Sequence, residues 1–148
     1  MVPFVFLIVA FGLLTTVGHF GIPLSFNWWT ALRCSLAGLF LLTASAHWGK
    51  MRPDLVRMVP AAFPRPDLLV TLTGILEILG AMGLLIPDLA PYAALCFTLL
   101  LLAMFPANIH AAREKLTIGG RAVPSLLPRS LIQIIFLTAT LAVYIGQP

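Results

Sequence analysis

The chain has 148 residues, of which 60 % are hydrophobic and 9 % charged, with nine Lys and Arg against five Asp and Glu for a formal net charge of +4. With a mean hydropathy of +1.03, this composition cannot cover a soluble surface, and an ordinary soluble globular domain is excluded. Eight of the nine basic residues lie in or at the edges of two stretches, Lys50–Arg65 and Arg113–Arg129, so the positive charge reads as membrane topology and contact with anionic headgroups; no aromatic-interleaved basic patch points to nucleic acid.

The basic stretches leave apolar runs of about 20 residues, the length of helix that crosses roughly 30 Å of hydrocarbon. The first, about 2–20, carries no charge. It has neither a basic segment before it nor a small-residue cleavage pattern after it, so it is expected to remain as a span. The second, about 28–48, is interrupted by Arg33, and the third, about 68–86, contains Glu77. The fourth and fifth cover about 89–109 and 130–146. Lipid offers backbone groups no partner, so each span must be a helix; a barrel would show short strands of alternating polarity.

The fold class expected is therefore all-α: one polytopic transmembrane helical bundle over residues 1–148, with five spans. Five crossings put both basic loops on one side, while the opposite loops, Gly21–Asn27 and Pro87–Asp88, hold no Lys or Arg. Positive charge stays on the cytoplasmic face, which makes the topology N-in/C-out and the location a bacterial inner membrane. Pro87–Pro91 is a tight turn that folds the third and fourth spans into a hairpin. Within the longer inner loop, Asp54–Val59 reads either as a short amphipathic piece at the membrane surface or as an ordinary ordered loop.

Polar residues inside the spans are the candidate site. Glu77 lies about 13 Å from the inner end of its span, at 1.5 Å per residue. A carboxylate there costs roughly 2.5–3.5 kcal/mol facing lipid. Thr73, Gly74, Gly80 and Ala81 lie three or four residues away and form a small-residue stripe through Glu77, which points it into the bundle. Arg33 lies near the outer end of its span on the same face as His47, fourteen residues on. A Glu77–Arg33 ion pair, direct or through one intermediary, is expected; the plainer reading is that the pair only locks two helices together. At the inner boundary, His47, Asn108, His110, Arg129 and Gln133 share a depth and could line one polar pocket. For His110, Arg113 and Arg129, simple contact with headgroups is the favoured account. The ligand-binding candidates are Glu77, Arg33, His47, Asn108 and Gln133. Cys34 and Cys96 lack a Cys-x-x-Cys spacing, and the three His form no metal or haem signature, so neither a metal nor a covalently bound cofactor is expected.

The segments together resemble the DoxX-like family of small bacterial membrane proteins. The likeness rests on Met58-Val59-Pro60 with Pro64, on the run from Thr73 to Leu85 around Glu77, on Phe105-Pro106-Ala107-Asn108-Ile109, and on Arg33 with Gly38. It covers roughly Ala31 to Tyr144. The resemblance implies a four-helix core, here preceded by one further span, and an association with membrane quinone chemistry or oxidative-stress partners; its polar positions are Arg33, Glu77 and Asn108. Three functions follow as expectations. The first is a redox-associated auxiliary subunit that binds a quinone or docks a redox protein. The second is a binder or carrier of a small hydrophobic molecule. The third is a non-catalytic scaffold. Besides the lipid bilayer, the partners expected are such a redox protein or, through the Gly-rich third span, a second copy of the chain.

Overall fold

A computed structural model of the chain describes residues 2–20 and 27–146. Six helices dominate it: α1 (Val2–His19), α2 (Trp28–Ser45), α3 (Arg52–Met58), α4 (Pro66–Leu85), α5 (Ala90–Arg113) and α6 (Leu126–Gly146). A small hairpin, β1 (Thr117–Ile118) paired antiparallel with β2 (Arg121–Ala122), joins α5 to α6. Of the helices, α1, α4, α5 and α6 are long and apolar enough to cross a membrane. The predicted outer loop Gly21–Asn27 lies, Asn27 excepted, outside the described residues.

Local chemistry explains the helix ends. The Asn27 side chain accepts hydrogen bonds from the Thr30 backbone N–H at 2.9 Å and from its hydroxyl at 3.0 Å, capping α2. Helices α3, α4 and α5 carry proline in their first turn, where a missing N–H costs nothing. Gly119 and Gly120, both at positive φ, make the two-residue hairpin turn. Three helices outrun the expected spans at the end nearest the basic loops: α4 starts at Pro66, α5 continues to Arg113 and α6 starts at Leu126. Apolarity marks where hydrocarbon contact ends, and a helix continues past that level as long as its backbone bonds are made.

Helix α2 sits in the middle. It packs against α1, α4 and α6, and it buries Leu32, Leu36, Leu39 and Phe40. That enclosure accounts for its composition, the most polar of the long helices, with Arg33, Ser35 and Thr43 turned to protein. Helix α5 packs between α4 and α6 and reaches α2 through Phe97, whose ring stacks on Phe40 at 3.6 Å between centroids. A Cβ at Gly80 would lie 2.7 Å from the Phe97 ring, so the bare backbone there lets α4 close on α5. Helix α1 lies along α2 and buries Leu7.

The amphipathic segment of the inner loop is helical. Helix α3 packs on α4, α5 and β1, and Asp54 ties it to the hairpin by accepting from the Gly119 N–H at 2.8 Å. Arg57 pairs with the same carboxylate. These two donors hold the Asp54 carboxyl below its ordinary range, the Gly119 N–H contributing most. A carboxyl depressed on folding stabilises above its unfolded value, near 3.9, and the effect fades as pH falls through the lower folded value.

Gly80→Ala should therefore destabilise the protein by about 1–3 kcal/mol, as overpacking does, measured by reversible unfolding in detergent. Hydrogen exchange at the Gly119 amide, corrected for intrinsic rate, should show constant protection between about pH 8 and 5 and lose it only below about pH 4; Asp54→Ala should lose it throughout.

Candidate functional site

Thr43 and His47, at the end of α2 and just beyond it, face α4 between Val70 and Glu77. The Thr43 hydroxyl donates to Glu77 Oε2 at 2.7 Å. His47 Nε2 lies 3.5 Å from Glu77 Oε1, with both side chains 5 % exposed. On its other side, His47 Nδ1 is 2.6 Å from the Val70 carbonyl oxygen. A carbonyl only accepts, so Nδ1 carries a hydrogen. In the neutral ring Nε2 is then the acceptor nitrogen, and it is the one that faces Glu77 Oε1.

Gly74 makes this approach feasible. A Cβ there would fall 2.7 Å from His47 Cβ, 2.8 Å from its Cγ and 2.7 Å from Trp48 Cη2. The base of the site is fastened from below by Arg52, which donates to the carbonyl of His47 at 2.9 Å and to the hydroxyl of Thr71 at 3.0 Å.

Beside the pair lies a cavity of about 250 Å³, walled by Leu55, Met58, Val59, Pro60 and Phe63 from α3 and the loop after it, by Leu69, Val70 and Thr73 from α4, and by Ala103, Met104, Pro106 and Ala107 from α5. His47 completes the lining. The wall is apolar except at His47 and Thr73. The Thr73 hydroxyl is 3.4 Å from His47 Nδ1 and bonds the carbonyls of Leu69 and Val70 at 3.0 and 3.1 Å.

A separate polar cluster ties α5 to α6. Asn108 Nδ2 donates to Gln133 Oε1 at 2.6 Å, Arg129 donates to Asn108 Oδ1, and Gln133 Nε2 donates to the Leu101 carbonyl. Pro106, inside α5, has no N–H to give the carbonyl of Leu102 four residues earlier. The Gln133 side chain bonds the adjacent carbonyl, that of Leu101, and so ties α6 to α5 just before this interruption. Further out, the Thr98 and Thr140 hydroxyls bond at 2.9 Å across the same interface.

The expected residues therefore divide. Glu77 and His47 come together, with Thr43 and Thr73 beside them. Asn108, Gln133 and Arg129 form the second cluster, away from His47. Among the described residues Glu77 pairs with His47 and the direct Glu77–Arg33 contact is not made. Arg33 is buried near the start of α2. Thr43 fixes the level of Glu77, and Arg33 lies ten residues before it along α2, about 15 Å at 1.5 Å per residue. Thr43 and Thr73 were visible in the sequence only as positions on the right helix faces; a hydroxyl one turn from a buried carboxylate or histidine was the available signal.

This fold and site describe an all-helical protein, four of whose helices could cross a membrane, with a buried His–Glu pair beside an apolar cavity. Residues 36–144 match the model of a family described as a domain of unknown function, DUF8561, and the chain belongs to that family. No curated protein and no solved structure matches it. The pair, the cavity and the α5–α6 cluster lie within the matched stretch, whereas α1 and Arg33 lie before it.

Glu77→Leu should cost about 1–3 kcal/mol, because it strips a buried imidazole of its partner. Replacing both residues, His47→Leu with Glu77→Leu, should cost less than the two single changes summed, as apolar replacement of a whole buried pair does. Equilibrium unfolding of the four species in detergent measures the coupling.

Proposed function

We propose that this chain is a five-span protein of the bacterial cytoplasmic membrane, N-terminus inside and C-terminus outside, that binds a quinone-type hydrophobic molecule in the cavity beside His47 and serves as an auxiliary to a redox partner. Four apolar helices, and the central α2 with Trp28 and Trp29 at one end and Trp48 at the other, support the span count. The orientation rests on Lys50, Arg52, Arg57, Arg65, Arg113, Lys115, Arg121 and Arg129, which gather at the end of the bundle that bears α3 and the hairpin.

The observation that carries the ligand reading is the lining of the cavity: apolar walls, one hydroxyl and one imidazole backed by a carboxyl. Pockets for small ligands are mostly apolar with a few placed polar groups. A quinone carbonyl needs a donor, and the Thr73 hydroxyl, now on backbone carbonyls, can turn to supply it. The His47–Glu77 pair holds a proton within the same enclosure, as a site beside quinone oxygens needs. The resemblance to DoxX-like proteins favours a quinone within this ligand class.

Quinones quench tryptophan, and the Trp48 ring lies 6.0 Å from that of His47. Titration of purified protein with a short-chain quinone should quench its fluorescence saturably, and Thr73→Val or Glu77→Gln should weaken binding about tenfold or more, the loss expected of a buried hydrogen bond. Absence of saturable quenching in the wild type, with the variants only less stable, would make the pair a lock between α2 and α4 and favour the scaffold.

A further inference from the structure

The cavity has a closed end and an open side, and the two together define how its occupant is built. Its buried end is formed by His47, Met58 and Val70, each under 9 % exposed. Toward the basic end of the bundle it is roofed by α3, which contributes Leu55 and Met58 and is tied down from outside through Asp54 to Gly119. Its exposed lining is Phe63, 45 % exposed in the loop between α3 and α4, together with Ala103 and Pro106 on the flank of α5.

Those two α5 positions lie ten and seven residues before the end of the helix at Arg113, about 15 and 10 Å along its axis. Helix α5 is 24 residues long, about 36 Å against a hydrocarbon layer of roughly 30 Å. The mouth therefore opens at the depth of acyl chains. One turn further out on the same face, Leu99 and Leu102 are 58 % and 52 % exposed. With about 250 Å³, the cavity falls just below the usual span of small-ligand pockets, roughly 300–1,000 Å³; it can hold a ring with its substituents and has no room for a long chain.

We infer that the ligand is a tailed membrane lipid that approaches sideways from the inner leaflet, its polar ring lodged beside His47 and Thr73 and its hydrocarbon tail lying outside the cavity along Leu99 and Leu102 of α5. This rests on the membrane placement and the cavity reading proposed above and specifies the ligand class for that same site.

The test uses the full-length protein in lipid nanodiscs with a benzoquinone bearing a ten-carbon tail and a photoreactive diazirine near the tail's end. Crosslinked peptides are mapped with and without an excess of the same ring lacking a tail. The expected result is labelling concentrated on the exposed face of α5 around Leu99 and Leu102, reduced at least fivefold by the tailless competitor. Competed labelling on the 117–122 hairpin or on α3 would overturn sideways approach while leaving the cavity reading intact. Labelling spread over all lipid-facing helices and unaffected by the competitor would overturn the cavity reading itself, and this inference with it.

Discussion

Glu77 sits in the midst of a helix otherwise built for hydrocarbon, and the protein has to meet that carboxyl from within because lipid cannot. His47 and Thr43 meet it, and much of the bundle follows from the need to bring them there. The end of α2 must lie level with the inner half of α4, which leaves the inner loop to turn back sharply and start α4 at Pro66. Gly74 has to be bare for the imidazole to pass. Val70 has to offer its carbonyl, which in turn fixes which ring nitrogen carries hydrogen. A single buried acid thus sets the relative depth of two helices, one backbone vacancy and one tautomer.

The two halves of the bundle use different physics. Toward the outer end, α2, α4 and α5 are joined by Phe40 stacked on Phe97 and by the close contact at Gly80, with leucine and alanine filling the remainder. Such contacts are short-ranged and nearly indifferent to pH or ligand. Toward the end that bears the basic loops the helices are joined by hydrogen bonds, from Arg52 to His47 and Thr71, from Asn108 to Gln133, and from Gln133 to Leu101. The cavity lies in this second region, where the helices are spread by Thr73, Pro106 and the α3 segment. The polar atoms on the cavity wall are those of His47 and Thr73.

The apolar runs, the two basic loops and the inward aim of Glu77 could all be read from the chain, since each depends only on composition and helical period. The Asn108–Gln133 neighbourhood was also legible, from a common depth alone. The partner of Glu77 was not. Choosing between Arg33 and His47 needed the vertical register of α2 against α4, and an apolar run states where hydrocarbon contact begins, some residues away from where a helix starts. The cavity was illegible for a related reason: its walls come from α3, α4 and α5, and no local pattern announces that three segments will stop short of one another. Pro106 stood out only within a resemblance; the bond from Gln133 to the Leu101 carbonyl, 32 positions earlier, exists only once α6 lies against α5.

That link has a mechanical meaning. Where a side chain of one helix bonds the backbone of the next, the two cannot slide past each other by a turn without breaking that bond. The Thr98–Thr140 bond sets a second fixed point along the same seam. Helices α5 and α6 should consequently move as one beam. On the opposite wall the fastenings are a short helix between prolines and a surface carboxylate on a glycine amide. The α5 wall of the cavity is thus braced by α6, while the α3 wall is held at its surface through Asp54.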